Sequence, residues 1–322
     1  MLQQTVVATV IPYFLDFTRR WPSIEALAAA PIDNVLAAWA GLGYYARARN
    51  LHKAAVMVAG EWGGEFYHPD NRISNGTTNI YKECDHHLRA LPGVGPYTAG
   101  AISAIAFGQQ AVVVDGNIER LFSRYFGVET PLPAAKIEIG MIYQSLLPVN
   151  RPSDFPQALM DFANSVCTPK RPKCMGCCLA ESCVALAKDI VGELPIKPPK
   201  VAKPLRCASF FIAINHRGEV FLHRRPEKGL LGGMLGFPEV GLSSSKIDIT
   251  RGLKAAPFPA EWDLLDETIS HVFTHFTLEA HIYLAKVDGW PDARNIRGIW
   301  KKPHPANLPS LMRKIWTAVE SL

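Results

Sequence analysis

Four cysteines, Cys167, Cys174, Cys177 and Cys183, crowd into one short stretch with the spacing C-x6-C-x2-C-x5-C. A chain with seven cysteines in 322 residues does not reach this density by chance. Four thiolates in tetrahedral reach hold either a zinc ion or an iron–sulfur cluster. Zinc folds usually pair two C-x2-C knuckles, and Cys174–Cys177 is the one such pair here. The asymmetric 6-2-5 spacing therefore favours a [4Fe-4S] cluster, with zinc as the alternative and disulfides behind both. The remaining cysteines are Cys84, Cys178 and Cys207. Cys178 adjoins a proposed ligand and could compete for metal, but its ordinary reading is a small buried side chain.

The length suits two domains, and 48% hydrophobic residues supply a sizeable core. No apolar run approaches the roughly 18 residues of a membrane span. No charged, then apolar, then small-residue leader opens the chain, so it reads as cytosolic, in a reducing compartment. Lys and Arg outnumber Asp and Glu by 34 to 29, a formal charge of +5. That balance permits a polyanionic partner without requiring one.

Residues 1–190 read as mainly helical. The stretches 24–40, 45–60 and 96–107 carry apolar residues at helical spacing with alanine-rich faces. The polar stretch 65–87 reads as an irregular insertion. Residues 191–206 form a linker, because 194–204 hold four prolines and three lysines and proline fixes the backbone. Residues 207–322 predict an α+β domain: a hairpin from 208–214 and 219–224, a strand over 276–287 and a closing helix over 308–322.

Two further motifs carry chemistry. In Leu91-Pro92-Gly93-Val94-Gly95-Pro96-Tyr97, Gly93 and Gly95 let backbone N–H groups approach a phosphate, and Pro96 suits a first helical turn. The helix that follows would offer its positive end to an anion, as a helix-hairpin-helix clamp on DNA does. A plain helical corner is the competing reading. Asp115 follows three β-branched residues, Val112, Val113 and Val114. It is either an N-cap for a helix starting near Asn117 or a carboxylate held to stabilise developing positive charge.

Quartet, hairpin and aspartate in this order resemble the endonuclease III superfamily of DNA glycosylases, and within it the MutY-type adenine DNA glycosylases. Met1-Leu2-Gln3-Gln4-Thr5, the stretch Gly41 to Asn50 and Leu91 to Gly95 carry the resemblance, which runs through nearly the whole chain. It implies a helix-hairpin-helix glycosylase domain with a [4Fe-4S] loop and a Nudix-like C-terminal domain that recognises 8-oxoguanine. It implies that Asp115 stabilises an oxocarbenium-like sugar, that Tyr97 lies at the adenine pocket, and that Gln4 and Tyr44 fill the stack around an extruded base. Extruding a base costs a few kcal/mol of lost stacking, which a wedge offsets. Arg47 and Arg49 would reach phosphates. Lysine-bearing lyases of the superfamily use the position that Tyr97 occupies, so the resemblance implies a monofunctional hydrolase. In the second domain Gly232 to Pro238 matches a Gly-rich strand. His271 to Phe276 matches the lesion-reading loop, with Phe273, Thr274 and His275 as DNA contacts; Thr274 stands where serine is usual, and Phe276 reads as core. The magnesium-binding acidic run of Nudix hydrolases is missing, so this domain implies a reader. The partner implied is double-stranded DNA with an A:8-oxoguanine or A:G mispair, bound by a monomer.

The family's general acid is a glutamate two residues before the methionine of Met1-Leu2-Gln3-Gln4-Thr5. Here that methionine is the first residue. Two expectations follow: a start codon further upstream, or a catalytically silent mismatch-binding protein. Losing a positioned general acid lowers a rate by about 10²–10⁴.

Overall fold

The computed structural model describes residues 1–2, 5–66, 86–199, 202–226, 229–243, 253–291, 297–304, 308–320 and 322. The chain divides into two compact units, Met57–Lys200 and Met1–Val56 with Val201–Leu322. The polar stretch singled out at 65–87 falls almost wholly outside the described residues, as do Cys84 and Gln4.

The first unit is helical. Residues 86–89 form one turn, followed by α5 (Pro96–Ala101), which runs on as a π-helical segment over Ile102–Ala106. After it come α6 (Gly116–Phe126), α7 (Ala135–Ser145) and α8 (Asp154–Ser165), then short 3-10 turns at Cys174–Gly176 and Ala180–Ser182 and the single turn α9 (Val184–Ala187). Val113, Ile118, Leu121, Phe122, Ile139 and Tyr143 form its core. α6 has explicit start and stop signals. Asp115 caps its N-terminus, and Gly127 at φ +69° ends it in the left-handed conformation that glycine tolerates.

The second unit joins the four N-terminal helices to the β domain. They are α1 (Val7–Arg20), α2 (Ile24–Ala29), α3 (Ile32–Ala38) and the 46–56 part of α4 (Ala46–Glu61). The helix expected over 24–40 is two helices, because Pro31 has no N–H to continue the ladder and instead precedes α3. Val10, Phe17, Val35, Trp39, Leu42 and Tyr45 share one buried cluster with Met234. Arg224 pairs with Asp33 through both guanidinium nitrogens at 2.9 and 2.7 Å. Sequence texture groups the first 56 residues with the other helices, but their apolar faces pack on the β domain.

That domain is built on β1 (Leu205–Asn215) and β7 (Thr277–Val287), paired in parallel from Leu205↔Thr277 to Asn215↔Val287. β2 (Val220–Arg224) returns antiparallel to β1 as the expected hairpin. The shorter β3 (Leu235–Gly236), β4 (Glu239–Ser243), β5 (Asp263–Leu264), β6 (Ile269–Val272) and β8 (Gly298–Lys301) complete a mixed eight-stranded sheet. One face buries Phe210, Ile212, Leu278 and Ile282 against α10 (Ser310–Glu320), through Leu311, Met312, Ile315 and Trp316. Among the described residues no helix is long and apolar enough to cross a membrane.

Candidate functional site

α6 organises the helical unit's chemistry. Asp115 sits at its N-cap, where the carboxylate oxygen Oδ1 accepts from the N–H groups of Asn117 (2.9 Å) and Ile118 (2.8 Å). Oδ2 accepts from Asn117 Nδ2 at 2.8 Å. The positive end of the helix favours a negative charge at this place. Asp115 is therefore an N-cap, and half-buried. Tyr97 stands close enough to feel it: burial pushes the Tyr97 phenol up, and the Asp115 charge pushes it further. Gly100 makes this approach sterically possible. A Cβ there would lie 2.3 Å from the Val112 carbonyl oxygen, so only glycine lets α5 lie against the 111–114 segment that delivers Asp115.

One and two turns further along α6, Arg120 and Arg124 reach the cysteine loop. Arg120, 8% exposed, donates to the carbonyls of Cys167 (2.8 Å) and Ala163 (2.8 Å) and to Asn117 Oδ1 (3.2 Å). A hydrogen-bonded chain thus runs from Asp115 through Asn117 and Arg120 to Cys167. Arg124, 3% exposed, donates to Cys167 Sγ at 3.5 Å and to the carbonyls of Thr168, Pro169 and Leu194 at 2.7, 3.3 and 3.1 Å.

The four quartet cysteines line one cavity together with Leu121, Tyr125, Phe162 and Leu179. Leu179 N–H donates to Cys177 Sγ at 3.4 Å. Burial pushes the Cys174 thiol up, and the charges of Cys167, Cys177 and Cys183 push it further; a cation among them reverses that repulsion. A zinc tetrahedron with Zn–S near 2.3 Å holds its sulfurs about 3.8 Å apart. Among the described residues no three quartet sulfurs come within 4.8 Å of one another. Four thiols lining one cavity, with the Arg124 donor on Cys167 Sγ, are a donor set that fits a thiolate-ligated metal group. Cys178 is exposed, not buried as expected. Lys170, Arg171 and Lys173 are all exposed on this loop.

In the 91–95 turn Leu91 is 3% exposed and its side chain belongs to the interior. The turn exposes backbone instead. Gly93 adopts φ +81°, and a Cβ on Gly95 would meet open space.

In the other unit Tyr44 is exposed and Tyr45 buried. Tyr44 adopts φ +46°, a left-handed conformation unusual for a non-glycine residue, between Gly41 at φ +109° and Gly43 at φ +67° on one side and α4 on the other. Arg47 lies 5.3 Å over its ring and 5.4 Å over that of Trp39. The loop between β6 and β7 closes with the Phe273 N–H donating to the Phe276 carbonyl at 2.8 Å. Phe273 and Phe276 pack on the core, while Thr274 and His275 stay exposed. The hydroxyls of Thr274 and Tyr44 are 3.2 Å apart, so the structure brings the expected wedge and the expected reading loop together. Arg47 donates to the Met1 and Leu42 carbonyls and the Thr5 hydroxyl, and Arg49 to the Gly232 carbonyl. Both arginines are half-buried, and these bonds fasten the 41–50 loop.

Sequence reading missed Asn117, Arg120, Arg124 and Gly100. The i, i+4 spacing of the two arginines on one helix was the available signal.

Residues 1–139 match the family described as HhH-GPD superfamily base excision DNA repair protein, and residues 209–318 match the NUDIX domain. The adenine DNA glycosylases of two Buchnera aphidicola strains, from Schizaphis graminum and from Acyrthosiphon pisum, are 30% and 31% identical to this chain. Each alignment covers 98% of this chain and 88% or 87% of the relative. The adenine DNA glycosylase of Mus musculus is 30% identical over 99% of this chain and 70% of its own length. Similarity of this extent, spanning both units, shows that the chain belongs to the adenine DNA glycosylase family.

Proposed function

We infer that this protein is an adenine DNA glycosylase of base excision repair, acting on adenine mispaired with 8-oxoguanine or guanine in duplex DNA. The observation that carries the reading is Asp115: a carboxylate oriented by three hydrogen bonds, next to Tyr97, on a helix tied to the cysteine loop. In the proposed reaction adenine is flipped out of the stack. The bond from the sugar C1′ to adenine breaks, and its electron pair leaves with the base, which gains a proton. Asp115 faces the positive charge left on the sugar, and water adds to C1′ and loses a proton to solvent. With Tyr97 in place of a lysine nucleophile, no covalent enzyme–DNA adduct forms.

The quartet would hold a [4Fe-4S] cluster through Cys167, Cys174, Cys177 and Cys183, cross-linking the loop that presents Lys170, Arg171 and Lys173 to phosphates. Backbone at Gly93 and Gly95 would clamp a second stretch of the strand. Tyr44 and Gln4 would fill the stack, and Phe273, Thr274 and His275 would read the opposite guanine. In functional terms residues 1–190 are the excising part and 207–322 the reading part, in a cytoplasmic monomer.

The test uses the purified protein and a duplex with one A:8-oxoguanine pair. Free adenine should appear, and the strand should break only after alkali. Release of oxidised pyrimidines instead, or a DNA adduct trapped by borohydride, overturns the assignment.

A further inference from the structure

The β1–β7 pair carries an unexplained polar cluster. Alternation along the strands puts Ala208, Phe210 and Ile212 on the face that packs against α10, and Cys207, Ser209 and Phe211 on the other. On β7 the same second face carries Glu279, His281 and Tyr283. The register sets Cys207 opposite Glu279 and Ser209 opposite His281. Parallel strands covered on both faces normally read as continuous apolar runs. Here four polar residues stand in a row, with Cys207 2% and Ser209 1% exposed. Farther along, the face returns to aromatic packing, with Phe211 stacked on Tyr283 at 5.2 Å.

Cys207, Glu279 and His281 each place a ligand atom within 4.8 Å of the other two, which no other trio of His, Cys, Asp or Glu does among the described residues. The Cys207 sulfur lies 3.9 Å from Glu279 Oε2. The His281 Nε2 is buried from water and makes no hydrogen bond. Leaving a buried polar atom without a partner is costly, and a metal ion removes that cost.

We propose that Cys207, Glu279 and His281 form a zinc site separate from the cysteine quartet. Thiolate, imidazole and carboxylate together are a zinc donor set, whereas calcium and magnesium take oxygen alone. Zinc bond lengths place sulfur and oxygen ligands about 3.5 Å apart, so the Cys207–Glu279 separation has to close by only about half an ångström. Binding releases the Cys207 proton to solvent, and water completes the coordination. The site pins the start of β1 to β7, three residues beyond the 273–276 loop. It thereby holds the strand that presents Thr274 and His275.

Zinc is added to the purified full chain, and bound metal is counted and examined by zinc-edge X-ray absorption. The expected result is one zinc per chain, with one sulfur and two or three lighter neighbours. Cys207→Ser and Glu279→Gln should each weaken zinc binding at least tenfold, whereas Cys174→Ser should leave it unchanged. Should Cys207→Ser fail to fold, Glu279→Gln, nearly isosteric, gives the decision. Zinc coordinated by four sulfurs, zinc binding that both variants retain, or no stoichiometric zinc overturns the site. Iron content reports on the quartet separately, so failure here is distinguishable from failure of the glycosylase reading.

Discussion

Tyr44 holds a strained backbone at an exposed position. A left-handed tyrosine costs about 1–2 kcal/mol relative to a relaxed conformation, and the residue is 48% exposed. Tyr44→Gly removes that strain, adds backbone entropy to the unfolded chain, and loses the Arg47 contact. These terms nearly cancel, so thermal melting should place the variant within about 1 kcal/mol of the parent. Affinity for a mispaired duplex should fall by the roughly 1–3 kcal/mol that one stacked base is worth, read by titration against a fully paired control. Equal loss on both duplexes argues against a wedge. His271 gives a second test at this scale. Burial, and then the Lys314 charge, hold its pKa below the ordinary 6.5. Below pH 6.5 the unfolded chain takes up a proton that the folded one refuses, so stability declines with acidification until the folded group protonates as well. Melting from about pH 7.5 to about pH 5 should show this slope, and His271→Gln should flatten it.

At the scale of elements, α6 ties the site together. Its cap holds Asp115, and its buried arginines hold the cysteine loop. The cap was legible in the sequence, since an acid followed by glycine and a helical pattern is a local signal. The arginine contacts were not, because their partners are backbone carbonyls some 40 to 70 residues away. The burial of Leu91 and the hydrogen bonds of Arg47 and Arg49 were illegible for a related reason: a motif gives backbone geometry, while tertiary packing decides what each side chain meets. The break at Pro31 was readable but lost inside an alanine-rich run. Gly100→Ala should destabilise the helical unit by about 1–3 kcal/mol, because the added methyl must displace the Val112 carbonyl. Excision should fall more than binding, since the displaced segment leads straight to Asp115. Unchanged excision at full occupancy would contradict the positioning role of Gly100.

For the whole molecule, both fold classes and the hairpin were legible in the sequence, because each rests on a local period or a local break. That Met1–Val56 and Val201–Leu322 form one compact unit was not, because secondary-structure texture does not report which apolar face meets which. The quartet yields a global prediction. Cys174→Ser should lower iron content and broaden melting of the helical unit. Pale protein that melts like the parent contradicts a structural cluster. The most direct measurement is single-turnover release of adenine from an A:8-oxoguanine duplex by the purified protein and its Asp115→Asn variant. Asparagine caps a helix as well as aspartate, so α6 should persist and duplex affinity should hold while the charge disappears. The account predicts release slowed by about 10²–10³ with binding retained. Undiminished release by Asp115→Asn would contradict it.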